Sequence, residues 1–216
     1  MLGDKIQNGA MDNESEITLG LLNAVHADSD ITQRSIASEL GIALGLANAY
    51  LKRCVRKGYI KVGQIPRRRY AYYLTPQGFA EKTRLTSEYL SYSFTFFRTA
   101  RTACAEQLAR CEARQWRRVA LAGVSDLAEI ATLCARDSSV ELCGIVDPDF
   151  DRTDFAGLPV VPTASGLAPV DAVMVTDVTT PHETYAALRD HFAEDRVLAP
   201  DFLHIMHGGA SSGDGA

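Results

Sequence analysis

From Lys52 to Tyr73 the chain carries eight Lys or Arg side chains and no Asp or Glu. A run of one sign repels itself, so a fold that displays it needs an external anion to neutralise it. The imbalance is local. The whole chain of 216 residues has a formal charge of −5. Its first 90 residues hold 12 basic and 9 acidic side chains, while residues 91–216 hold 10 and 18. An acidic total leaves nucleic-acid binding open, because phosphates respond to the nearby patch.

The segments around the run read as helices and a hairpin. Glu14 to His26 places Ile17, Leu21, Leu22 and Val25 on one stripe. Thr32 is a natural N-cap for a second helix, Gln33 to Leu40, and Gly41 supplies the turn. A third helix, Leu44 to Lys57, is expected to turn Leu46, Tyr50 or Leu51, and Val55 inward. Asn48, Lys52, Arg53 and Arg56 are then left outside. Gly58 ends it, and Tyr59–Val62 and Tyr70–Leu74 form two strands joined by a crest of Arg67, Arg68 and Arg69.

Helix, tight turn, helix and basic hairpin is the layout of a winged helix-turn-helix. A helix fits the major groove. On that layout Asn48 can read adenine, Lys52, Arg53 and Arg56 can reach phosphate or guanine, and the arginine crest suits a phosphate backbone or a narrow minor groove. The expected partner is double-stranded DNA.

Thr75-Pro76 then opens a long helix that continues to about Arg114, with or without a break. Leu85, Tyr89, Leu90, Phe94, Phe96, Phe97, Ala100 and Leu108 give it more apolar surface than one small winged domain can cover. A two-fold partner helix is the natural cover, which predicts a homodimer through residues 77–115.

Residues 14–95 resemble MarR-type winged-helix regulators, in particular the group associated with exopolysaccharide synthesis genes. The resemblance is carried by Lys57-Gly58-Tyr59, by Tyr72-Tyr73-Leu74-Thr75-Pro76-Gln77-Gly78, and by Lys82, Leu85-Thr86 and Tyr89-Leu90. It implies promoter binding as a dimer.

Beyond the long helix, strand and helix patterns alternate. Arg118–Ala122, Val140–Val146, Leu158–Val161, Val170–Thr176 and Arg196–Leu198 read as strands. Asp126–Ala135 and His182–Phe192 read as helices. A small parallel sheet with flanking helices is expected. The fold class is α/β overall: a winged helix-turn-helix (α+β), then a long helix and a small Rossmann-like parallel-sheet domain. The divisions fall at 14–76, 77–115 and 117–203, with 204–216 a flexible tail.

In the glycine fingerprint of dinucleotide sites, Gly123 fits the first position, Ser125 falls on the second and Ala128 on the third. Asp147 lies 24 residues on, where an acid accepts ribose hydroxyls. Asp126 at the helix start repels phosphate and is also a routine cap. Residues 117–200 resemble the N-terminal domains of sugar-nucleotide acyltransferases and sugar oxidoreductases, through "GIVDPD", "LPVV" and "DAVMVTDVTTP". That resemblance implies a nucleotide or nucleotide-sugar effector near Gly123, Ser125 and Asp147, with Thr180 and Pro181 lining the crevice after the fourth strand. His182 follows them at a strand-to-helix junction, where it can touch a ligand phosphate or base. No catalytic lysine or nucleophile elbow accompanies these residues, so catalysis is not expected. Two alternatives remain: an enzyme remnant whose winged domain contacts protein, and an assembly protein with an empty Rossmann-like domain.

His204-x-x-His207 has metal-pair spacing but only Asp201 nearby, and no metal site is expected. Five Cys show no CxxC pair and read as reduced thiols, although Cys104 and Cys111 share a helix face, a hint of a redox pair. The N-terminus lacks a signal-peptide core and no apolar run approaches a membrane span, which points to a cytoplasmic protein.

Overall fold

A computed structural model describes residues 12–65 and 69–205. The chain divides into two compact units, Met1–Phe96 and Phe97–Ala216.

The first unit opens with α1 (Asn13–Ala27), capped by the Asp12 carboxylate, which accepts from the Glu14 amide. The Thr32 hydroxyl caps α2 (Gln33–Glu39) by accepting from the Ser35 amide. Gly41, at φ 62°, makes the left-handed turn into α3 (Leu44–Arg56). Strands β1 (Ile60–Ile65) and β2 (Arg69–Leu74) pair antiparallel, with Ile60 opposite Leu74 and Ile65 opposite Arg69. Leu21, Leu22, Ile36, Leu51, Ile60 and Leu85 form the buried centre.

The inward stripe of α3 departs from expectation. Ala47, Leu51 and Cys54 are the buried positions, while Leu46 and Val55 are exposed. The stripe is built on a small residue at each end. Small side chains let α3 approach its neighbours closely, and the larger Leu46 and Val55 fall on the outer arc. A search for large apolar residues passes over such a stripe.

Helix α4 (Pro76–Ala113) follows β2 after a single residue, Thr75, and runs unbroken for 38 residues. The Thr75 hydroxyl donates to the Gly58 carbonyl (2.6 Å) and accepts from the Gly78 amide (3.0 Å). The Thr75 amide donates to the Tyr59 carbonyl at 3.0 Å. Gly78 lies so close that a Cβ there would overlap the Tyr59 carbonyl. The Thr-Pro-x-Gly motif thus clamps the start of α4 to the exit of α3.

The second unit begins within α4 and continues through β3 (Arg118–Ala122), α5 (Asp126–Ala135), β4 (Glu141–Val146), β5 (Asp154–Phe155), β6 (Leu158–Val161), β7 (Ala172–Val175), α6 (Pro181–Arg189) and β8 (Val197–Leu198). The sheet order is β5-β6-β4-β3-β7-β8. All its pairs are parallel except β5 with β6. The outward steps from β3 to β4 and β6 on one side, and to β7 and β8 on the other, make the sheet Rossmann-like. Strand β7 is buried at every position, as a central strand covered on both faces must be. The two-residue β5 was not expected, because so short a strand leaves no alternation to read.

Burial pushes the thiols of Cys104 and Cys111 up to about 12 and about 11. They sit seven residues apart on one continuous helix, a rise of about 10 Å, beyond disulfide reach. The redox pairing suggested by their shared face is therefore not formed within this helix.

Gly78→Ala tests the clamp. Alanine gains helix propensity of about 1 kcal/mol. Overpacking costs about 1–3 kcal/mol, and here the overlap is with backbone that cannot rotate away. A net loss of about 1–2 kcal/mol is expected in urea unfolding of the first unit. An unchanged or raised midpoint would contradict the clamp.

Candidate nucleic-acid interface

Tight packing of Ala47, Leu51 and Cys54 turns the opposite arc of α3 to solvent. Lys52 and Arg56 are exposed there, and Asn48 is half-buried at its edge. Among the described residues neither Lys52 nor Arg56 has an ion pair. Arg53, one position on and about 100° round the helix, faces elsewhere. Its guanidinium pairs with Glu14 of α1, and that hydrogen bond raises its already high pKa. Sequence reasoning grouped Arg53 with Lys52, but the fold gives it an internal carboxylate.

The hairpin stands beside the same arc. Strand alternation puts Val62 and Tyr72, which are cross-strand partners, on one face with Tyr70. The Tyr72 hydroxyl accepts from Gln33 Nε2 at 3.3 Å, and the Tyr72 amide donates to the Ser29 carbonyl at 2.8 Å. These bonds fix the hairpin against α2 and the loop before it. Between hairpin and α3 lies a groove of about 320 Å³, lined by Leu51, Val55, Val62, Tyr70 and Tyr72 together with Gln33, Asn48, Lys52 and Arg56. Gln33 and Tyr72 were not among the sequence candidates, and only the strand alternation of Val62, Tyr70 and Tyr72 hinted at this wall. Arg67 and Arg68 lie outside the described residues, and Arg69 supplies backbone to the end of β2.

The second unit has its own crevice, about 620 Å³, at the C-terminal ends of β3, β4 and β7. Gly123, Asp147 and Thr180 line it, as the glycine-fingerprint reading expected. Ser125 and His182 do not, whereas His191 does. Gly123 has φ 99°, and a Cβ there would come within 2.6 Å of the Asp177 backbone. The glycine is thus required by a neighbouring strand end. Ser125, not Asp126, caps α5: its hydroxyl accepts from the Leu127 and Ala128 amides and donates to the Thr176 carbonyl.

The Asp147 carboxylate accepts from the Val124 amide at 2.7 Å and the Asp149 amide at 3.0 Å. Asp177 accepts from the Thr179 and Thr180 amides and from the Thr180 and Thr184 hydroxyls. The Val124, Leu127, Ala128, Thr179 and Thr180 amides thus have internal acceptors. Asp149 and Glu183 add two more carboxylates to the walls.

Among the described residues no group of three His, Cys, Asp or Glu converges as a metal site requires, and His207 of the His204-x-x-His207 pair lies outside them. No helix among them is long and apolar enough to cross a membrane.

Residues 14–61 match a family model described as winged helix-turn-helix DNA-binding. Solved structures similar to part of the chain include the PcaV transcriptional regulator from Streptomyces coelicolor, 23 % identical over 38 % of this chain and 62 % of that one, with a TM-score of 0.35. Another is MepR, a transcription regulator of the Staphylococcus aureus multidrug efflux pump MepA, 28 % identical over 43 % and 67 %, with a TM-score of 0.34. The chain spans less than two thirds of the PcaV regulator's length. No curated protein matches it.

Burial works to raise the Asp177 carboxyl, but its bonds from Thr184, Thr179 and Thr180 outweigh that and hold it below the ordinary aspartate range. A lowered folded value stabilises above the unfolded pKa of about 3.9 and is lost as pH falls through the folded value. Thermal melts of the second unit should therefore fall as pH drops below about 4, and Asp177→Asn should reduce that fall. An identical pH dependence in the variant would contradict the role given to Asp177.

Proposed function

We propose that this chain is a DNA-binding transcription regulator of MarR type, acting as a homodimer. The observation that carries the reading is the outward arc of α3, where exposed Lys52 and Arg56 have no ion pair among the described residues and stand beside a hairpin whose sequence adds Arg67, Arg68 and Arg69. A polyanion supplies what the fold withholds. In this reading α3 enters the major groove with Asn48 towards base edges, and the hairpin crest meets the neighbouring minor groove. The family model over residues 14–61 supports the same assignment.

Dimerisation rests on α4. Leu90, Phe94 and Phe97, spaced i, i+4 and i+7, share one face of α4, flanked by Tyr89; Tyr89, Leu90 and Phe97 are each 40–46 % exposed. A second copy of the helix covers such a stripe and places two α3 helices on one duplex. The exopolysaccharide-group resemblance makes polysaccharide-related genes the first promoters to test.

The crevice of the second unit is the proposed effector site. Its carboxylates and occupied amides favour a ligand rich in hydroxyl or amine donors over the nucleotide that the glycine fingerprint implied, because a diphosphate would meet Asp147, Asp149, Asp177 and Glu183. Such a ligand regulates only by binding one arrangement of the dimer more tightly than another.

Fluorescence anisotropy with a mixed-sequence DNA duplex tests the interface. Lys52→Ala and Arg56→Ala should each weaken binding and lower the log–log salt slope by about 1. Arg53→Ala, which removes a charge already matched by Glu14, should lower it by less. Salt slopes equal to wild type in Lys52→Ala and Arg56→Ala would overturn the assignment.

A further inference from the structure

We infer that the crevice of the second unit takes a phosphate-free sugar derivative that carries a positive charge, its vicinal hydroxyls donating to Asp147 and its cationic group answered by Asp149 and Glu183. The inference rests on the effector-site reading above and deepens it to a ligand class.

The crevice has the room of a small-molecule pocket, about 620 Å³. It opens at the carboxyl ends of β3, β4 and β7, where the strand order turns from one side of β3 to the other, the usual place for a ligand in a sheet of this topology. Pro148, Pro162, Ala187 and Leu188 give it apolar walls against which a sugar or base ring can lie.

The hydrogen bonds separate the carboxylates by role. An ionised carboxylate has about four acceptor sites. Asp177 fills four, from the Thr179 and Thr180 amides and the Thr180 and Thr184 hydroxyls, so it braces the loop before α6 and has none left for a ligand. Asp147 fills two, one on each oxygen, from the Val124 and Asp149 amides. Those bonds hold its carboxylate in place and leave a second site on each oxygen, which suits two adjacent hydroxyls donating side by side. The Asp149 and Glu183 side chains are exposed and have no ion pair among the described residues. No Lys or Arg lines the crevice, and of its lining side chains only His191 can carry positive charge. A phosphate there adds to the repulsion among the carboxylates, whereas a cation relieves it.

A sugar with both features is either a nucleoside with a charged side chain or an amino sugar, and isothermal titration calorimetry of the full chain distinguishes them. The probes are S-adenosylmethionine against S-adenosylhomocysteine, which lacks the sulfonium charge, a glucosamine disaccharide against its N,N′-diacetyl form, and NAD. In one pair the charged member should bind about fivefold or more tightly than its counterpart, and the pair that does so identifies the source. Asp149→Asn and Glu183→Gln should each shrink that preference by about two- to fivefold. Asp147→Asn should weaken both members of the pair alike, by about ten- to hundredfold. Should Asp147→Asn disturb the turn it braces, the other two variants, isosteric and exposed, carry the test. Tighter binding of NAD than of either cation, equal affinity within both pairs, or a preference unaltered in Asp149→Asn and Glu183→Gln overturns the inference and leaves the effector-site reading standing. Binding of none of the probes at millimolar concentration overturns both, while the salt slopes of Lys52→Ala and Arg56→Ala decide the DNA-binding reading separately.

Discussion

Thr75 is the residue on which the geometry of the first unit turns. It stands alone between hairpin and long helix and bonds to the backbone of Gly58, Tyr59 and Gly78. Those contacts set where α3 ends, where β1 begins and where α4 starts. The Gln33–Tyr72 bond and the link from Tyr72 to Ser29 hold the other side of the hairpin. The exposed cations of α3 and the two hairpin strands have a fixed spacing because both ends of this frame are tied. An anion lattice as regular as a duplex can be read only by charges held in register.

The second unit obeys a comparable rule. Where a nucleotide site would leave loop amides free, this one spends them internally: Val124 on Asp147, Leu127 and Ala128 on Ser125, Thr179 and Thr180 on Asp177. Gly123 is held to glycine by the close passage of Asp177. The parallel-sheet architecture of a dinucleotide fold is thus present, with its loops tied together by carboxylate and hydroxyl side chains.

Much of the architecture was legible in the sequence because it is local. Thr32, Gly41, Gly58 and Thr75-Pro76 mark their boundaries by capping and backbone conformation, which depend on few neighbours. Alternating apolar runs marked the parallel sheet. What escaped depends on contacts across space. The α3 stripe was read correctly at Leu51 but not at Leu46 and Val55, because Ala47 and Cys54 are small, and close approach, not side-chain size, decides which face is buried. Arg53 was grouped with Lys52 because nothing near it in sequence announces Glu14. The close passage of Asp177 at Gly123 escaped because the two lie 54 residues apart. The apolar groove lining of Leu51, Val55, Val62, Tyr70 and Tyr72 combines a helix and two strands, and no single window shows it.

Hydrogen–deuterium exchange of the full chain, with and without a mixed-sequence DNA duplex at low salt, tests the central claim most directly. The account predicts slowed exchange in Leu44–Arg56 and across the two hairpin strands, with the sheet amides of Arg118–Leu198 unchanged. Protection in the second unit, with none in α3 or the hairpin, would contradict it.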